Sequence, residues 1–271
     1  MSELFERLHA AVREGAPVAL ATVVAVEGEA RDSLVDRIGR KLLVAPDGDV
    51  SGDLGSSELS RVVVRDALGE LAAGRSELRH YGPEGEARQS EVSVFIESFA
   101  PPPRMIIFGA VDFTAALVRV AKVLGYRVDV CDARAIFATK ARFPEADEVV
   151  TAWPQDHLGE IGGELGPRDA VCVLTHDAKF DVPALVAALE TSVGYIGCMG
   201  SRRTCAQRNE RLVEAGVDAE GMSRIHSPIG LDLGARTPEE TAISICSEII
   251  SLRSGRANAS LRDAKGPIHS S

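Results

Sequence analysis

No apolar run in this 271-residue chain approaches the ~18 residues that a membrane-spanning helix requires. The N-terminal stretch MSELFERLHAAV carries acids and reads as an amphipathic helix, not a signal peptide. These two absences set the expectation of a cytoplasmic protein with no membrane partner. A basic surplus is missing as well. The net charge is −10, whereas a general nucleic-acid binder needs cations to neutralise phosphates. There is no C-x-x-C, no H-x-H and no H-x-x-x-H, and the histidines lie far apart. The cysteines, Cys131, Cys172, Cys198, Cys205 and Cys246, are scattered and odd in number. They read as buried free thiols in a reducing compartment, with no disulfide framework and no metal site. No internal repeat is found.

What is present describes a globular chain able to bury a sizeable core: 45% of residues are apolar and 26% charged. The length allows one large domain or two ordinary ones. Ala100-Pro101-Pro102-Pro103 favours two, because consecutive prolines form a stiff extended linker that no helix crosses. Residues 1–100 are expected to form a small α+β domain, 101–103 the linker, 104–254 a second domain, and 255–271 a disordered tail.

The first domain reads as a helix over 2–14, a buried strand over 17–26, a loop over 27–40 and a strand over 41–45. A helix over 57–73 stops at Gly74, and strands follow at 75–81 and 91–99. In the second, Arg104 to Asp132 sets the pattern: the apolar run RMIIF, a turn opening on Gly109, an amphipathic segment stopped at Gly125, and a second apolar run ending in Asp132. Strand, turn, helix and strand in this order begin a doubly wound parallel sheet. Leu117, Val120, Ala121 and Leu124 mark the helix face. Further strands are read near 148–151 and at 170–175 and 193–197. Helices are read around 139–143 and over 154–161, 182–189 (with Pro183 in its first turn) and 202–215. Thr237-Pro238-Glu239-Glu240 begins a last helix by a capping box, with Ile243, Ile245, Cys246, Ile249 and Ile250 as its core positions. The fold class is therefore α/β, a Rossmann-like doubly wound sheet with a smaller N-terminal α+β domain.

Open α/β sheets bind ligands at the C-terminal ends of their strands. Four such ends carry chemistry: Gly109 and Asp112, Asp132, His176 and Asp177, and the segment Gly200-Ser201-Arg202-Arg203-Thr204. Asp132 stands where such folds place the acid that meets a ribose hydroxyl. The glycine turn departs from G-x-G-x-x-G, with Val111 and Thr114 in place of its second and third glycines. It reads either as a mere connection, as a surviving phosphate cradle, or as a changed polar contact through Asp112. The stronger anion site is 200–204, where Ser201 can cap a helix whose first turn holds two guanidiniums. Arg203 could instead pair with a carboxylate such as Glu239. His176 and Asp177 read equally as a functional pair or as a pair that fixes its loop. Asp232 lies in the glycine-rich segment 226–236, read as a loop folded back over the crevice. In the first domain, Ser56 or Ser57 is a candidate helix cap. No catalytic residue is assigned.

The segments IIFGA (106–110), RFPEADEVV (142–150), LTHDAKFDVPAL (174–185), YIGCMGSRRT (195–204) and RIHSPIGLDLGARTPEETAISICSEI (224–249) resemble the XdhC/CoxI family of xanthine dehydrogenase accessory factors. The resemblance implies a chaperone that binds molybdenum cofactor (molybdopterin), protects it during sulfuration and passes it to a molybdenum hydroxylase of the xanthine dehydrogenase type. It also implies a sulfurtransferase as a further partner and a homodimer. Two family features are missing. The first-domain turn SGDLGSSELS (51–60) keeps Glu58 but has no cysteine, and Gly109-Ala110-Val111-Asp112 stands where the family tends to have G-A-G-H. The chain thus resembles a divergent paralogue. The alternatives are an NAD(P)-binding oxidoreductase, against which Val111 and Asp112 speak, and a ligand-free interaction partner.

Overall fold

The computed structural model describes residues 3–28, 31–87, 89–256 and 258–263. The chain divides between Pro101 and Pro102 into two compact units.

The first unit contains α1 (Glu3–Glu14), β1 (Val18–Val26), α2 (Arg31–Leu34), β2 (Lys41–Val44), β3 (Val50–Gly52), α3 (Ser57–Ala73), β4 (Glu77–Tyr81) and β5 (Val92–Phe99). Its strands form one antiparallel sheet in the order β3-β2-β1-β5-β4. β1 is central and covered on both faces over Val18–Ala21, which explains why its apolar residues do not alternate with polar ones there. Ala19, Ala21 and Val23 pack with Leu59, Val63 and Ala67 of α3. Val18, Leu20 and Leu43 pack with Leu4, Leu8 and Ala11 of α1. Ser56 is the cap of α3, accepting from the Leu59 amide at 3.3 Å, and Gly74 closes the helix in the left-handed region. The stretch read as a loop, 27–40, contains α2 and a 3-10 turn at Val35–Arg37 instead. Leu34, buried at its centre, is the apolar anchor that draws the charged segment onto the core.

The second unit contains β6 (Arg104–Phe108), α4 (Asp112–Val123), β7 (Arg127–Cys131), β8 (Glu148–Val150), α5 (Pro154–Ile161), β9 (Ala170–Val173), α6 (Ala178–Leu189), β10 (Tyr195–Cys198), α7 (Arg202–Glu214), α8 (Ala219–Ser223), β11 (Ile225–His226) and α9 (Pro238–Ser254). Its six strands are parallel, in the order β11-β10-β9-β6-β7-β8. The order reverses between β6 and β9, so the ligand crevice of such a sheet opens beside β6. Met105 and Ile107 of β6 face a core shared with α4 and α9, and Ile106 and Phe108 face one shared with α5, α6 and Leu212 of α7. This is the Rossmann-like sheet that the alternation of strand and helix predicts.

Several elements differ from their expected form. Residues 139–143 form turns, not a helix, with the Phe143 ring buried as an anchor. α6 begins four residues earlier than its apolar pattern suggests, because the Asp177 carboxylate caps it by accepting from the Lys179 amide at 3.1 Å. Pro183 consequently lies inside the helix, not in its first turn. Leu124 lies beyond the end of α4 and is exposed. Ile243 and Ile250 of α9 are also exposed, at 51% and 40%. Of the expected tail, Gly255 closes α9 and residues 258–263 are exposed, while 257 and 264–271 lie outside the described residues.

Candidate functional site

The chain leaves β6 through Gly109, whose φ of +110° lies in the region that favours glycine. A Cβ there would stand 2.8 Å from Thr175 Cγ2, so glycine is required by the neighbouring strand end itself. Where a third glycine would stand, Thr114 closes the turn: its hydroxyl donates to the Gly109 carbonyl and accepts from the Val111 amide at 3.4 Å. Arg142 occupies the outer side of the turn. Its Nη1 donates to the Ala110 carbonyl at 3.0 Å, and its Nη2 lies 3.8 Å from the exposed Asp112 carboxylate.

Asp132 is only 4% exposed. Its Oδ2 accepts from the Ala110 amide at 2.8 Å and from Arg134 Nη2 at 2.7 Å. Its Oδ1 accepts from the Arg134 amide and Nε, both at 2.9 Å. Burial raises the Asp132 carboxyl, but Arg134 and the two amides outweigh burial and hold it below the usual carboxylate range. In this conformation Asp132 is committed to Arg134 and to the glycine turn.

At the end of β9, Thr175 donates to the buried Asp181 of α6. Asp181 in turn receives Arg208 of α7 through Nη2 at 2.8 Å and Nε at 3.1 Å. Arg208 also donates to the Met199 carbonyl at 2.7 Å and to Ser227 Oγ at 3.1 Å. Both members of the ion pair are 2% exposed. Arg208 Nη2 lies 3.2 Å from where a Gly200 Cβ would stand, so Gly200 leaves room for this internal guanidinium. Nothing in the sequence marks this pair: Asp181 stands just before the helix expected over 182–189, and Arg208 looks like an ordinary surface charge of the helix expected over 202–215.

Ser201 caps α7, accepting from the Thr204 amide at 3.1 Å. Arg202 and Arg203 follow in the first turn, exposed and without an ion pair among the described residues. The suggested partner Glu239 is engaged by Arg119 at 3.0 Å, so Arg203 does not pair with it. His176 and Asp177 are exposed beside Thr175, with Asp177 capping α6 and 3.4 Å from Lys179. The loop after β11 folds back as expected: the Ile229 amide donates to the Cys198 carbonyl at 3.0 Å, and the Gly230 amide to Glu248 at 2.9 Å. Asp232 lies exposed on that loop. The arrangement therefore offers a capped helix N-terminus with two uncommitted guanidiniums, next to strand ends whose acids are internally satisfied. Among the described residues, no group of three His, Cys, Asp or Glu side chains could hold a metal ion, and no helix is long and apolar enough to cross a membrane.

Residues 105–249 match the family described as the XdhC Rossmann domain, and residues 11–82 match the XdhC and CoxI family. The chain belongs to the XdhC/CoxI family. This family member is 36% identical over 161 residues to a probable xanthine dehydrogenase subunit of Bacillus subtilis (strain 168), covering 59% of the chain and 46% of that protein. It is 28% identical over 247 residues to the uncharacterized protein YqeB of Escherichia coli (strain K12), covering 89% of the chain and 44% of that protein. It is 34% identical over 90 residues to the molybdenum cofactor insertion chaperone PaoD of the same organism, covering 33% of the chain and 28% of that protein. In each case the match spans less than half the length of the relative. Among solved structures, a xanthine dehydrogenase of Bacillus halodurans has the same fold, with a TM-score of 0.54 at 24% identity over 96% of this chain and 98% of that one.

Proposed function

We propose that this XdhC/CoxI-family chain is an accessory protein that carries molybdenum cofactor as cargo and hands it to a molybdenum hydroxylase of the xanthine dehydrogenase type. The observation that carries the reading is the pair Arg202 and Arg203, without an ion pair among the described residues in the first turn of the Ser201-capped helix. Cations at a helix N-terminus work against its dipole. A bound phosphate among them reverses that cost, because free amides and guanidiniums then converge on one anion. Gly200 and Ser201 supply the helix start, while Gly109, Asp112, Asp132, His176, Asp177 and Asp232 border the same crevice. A nicotinamide dinucleotide is a poorer fit, since Asp132 has its oxygens engaged by Arg134 and Ala110. The site of the missing family cysteine is not replaced by another reachable thiol, because all five cysteines are buried. The cargo is therefore held through its phosphate and pterin, not through a thiolate on molybdenum. The protein works in the cytoplasm as a homodimer, with a sulfurtransferase acting on the cargo while it is held.

The test is anaerobic equilibrium dialysis against molybdopterin. The double variant Arg202→Ala, Arg203→Ala is expected to bind about tenfold more weakly or worse, with a shallower salt dependence. Equal affinity in variant and wild type refutes the phosphate assignment, and no binding by either refutes the carrier reading.

A further inference from the structure

One corner of the crevice is built from groups that the phosphate site does not use. Trp153, the only tryptophan in the chain, is 43% exposed. It stands just past β8, held extended by the buried Pro154 that opens α5. One face of its indole stacks on the buried Phe180 ring, with centroids 5.0 Å apart and planes at 28°. Phe180 also lies under two cations: the Arg134 guanidinium at 5.8 Å and Lys179 Nζ at 4.9 Å. Arg134 sits 4.7 Å over the ring of Phe137, which is 39% exposed. These residues come from the chain just beyond β7, β8 and β9, the strand ends at which an open α/β sheet receives a ligand.

Arg134 is the unusual member. An exposed arginine ordinarily samples many rotamers, and fixing one costs entropy. Here Asp132 holds its Nε and Nη2, and the rings of Phe137 and Phe180 flank its guanidinium carbon. The guanidinium is preorganised before any ligand arrives, so a partner gains its remaining N–H groups without that cost. An exposed indole, an exposed phenyl ring and a fixed donor edge suit a flat ring whose rim carries acceptor atoms. A plain hydrocarbon would leave the N–H groups of Arg134 that Asp132 does not engage without acceptors, and a simple anion would leave the aromatic faces wet.

We infer that Trp153, Phe137 and Arg134 form a stacking platform for a planar nitrogen heterocycle with keto and ring-nitrogen acceptors on its edge. This rests on the carrier reading above for the identity of that ring, which is the pterin of molybdopterin. The two ends of one ligand are then divided across the sheet, with phosphate after β10 and heterocycle after β7 and β8. A purine presents the same chemistry and is the competing source.

The experiment titrates the full chain with molybdopterin under anaerobic conditions, and separately with AMP, following Trp153 emission and equilibrium dialysis. Wild type is expected to bind molybdopterin with quenching of Trp153. Trp153→Ala and Phe137→Ala are each expected to lose about tenfold or more in affinity, the size of one aromatic stacking contact, with far-ultraviolet circular dichroism unchanged. Molybdopterin binding with equal affinity in wild type and both variants overturns the platform and leaves the carrier reading standing. AMP binding that quenches Trp153 and is weakened in Phe137→Ala, without molybdopterin binding, sustains the platform for a purine and overturns the carrier reading. Binding of neither compound overturns both.

Discussion

The arginines around the second sheet differ in how much freedom each retains, and that difference separates architecture from recognition. Arg202 and Arg203 have no ion pair among the described residues, Arg134 is pinned but half-exposed, and Arg208 is enclosed with Asp181. Burial pushes the Asp181 carboxyl up, and the Thr175 hydroxyl and Arg208 pull it back. Removing Arg208 leaves a buried carboxyl with one hydroxyl partner. Arg208→Met is therefore expected to lower unfolding free energy by about 3–5 kcal/mol, whereas adding Asp181→Leu restores most of the loss. Urea denaturation of the three proteins measures this, and a double variant no more stable than the single one contradicts the pairing argument. Ser201 and Gly109 were legible from the sequence because caps and left-handed turns obey local rules. The Arg208–Asp181 pair was not, because its partners stand 27 positions apart and nothing in either helix marks its charge as inward-facing.

The helices show where periodicity succeeds and where it misleads. In α9 the buried apolar positions are Ala242, Ile245, Cys246 and Ile249, and at 3.6 residues per turn these form one narrow stripe. Ile243 and Ile250 lie off that stripe, so an apolar side chain alone did not reveal which way each faced. Ile243→Lys and Ile250→Lys are each expected to change stability by no more than about 0.5 kcal/mol. Ile245→Ala, which opens a cavity against α4, is expected to cost about 2–5 kcal/mol. Thermal melts of the three variants check the ranking. The same limit explains α6, whose start is set by a polar cap and not by its apolar face. It also explains 139–143, where one buried phenyl ring organises a series of turns.

At the scale of the whole molecule, the two units carry separate cores and titrate differently. His157 of α5 is 4% exposed, and its Nε2 has no hydrogen-bond partner among the described residues. Burial holds its imidazole below the ordinary histidine range. The unfolded chain therefore takes up that proton first as the pH falls. The contribution of His157 is complete above about pH 6.5 and is lost below it, as the pH approaches the lowered folded value. Asp132 acts later: its lowered carboxyl supports the fold above about pH 3.9 and stops doing so as the pH falls through its folded value. In the first unit, Asp49 and Asp53 are held down by Arg7 and Arg40 at the surface, where solvent screening keeps such pairs weak. Calorimetry is expected to show a melting temperature that falls between pH 7 and pH 5 in wild type and is nearly flat in His157→Leu. Identical slopes would remove His157 from the account.

The sulfur distribution follows the same division. Cys131, Cys172, Cys198, Cys205 and Cys246 are all buried, one each in β7, β9, β10, α7 and α9, and the first unit has none. Burial also pushes the Cys131 and Cys246 thiols up to about 12, far from the thiolate form that reacts. An aromatic disulfide reagent added to the native chain consequently waits at each position for that element to part from its neighbours. Five labelling rates then act as five clocks on the second unit, ranking how often each of these elements opens, with no background from the first unit.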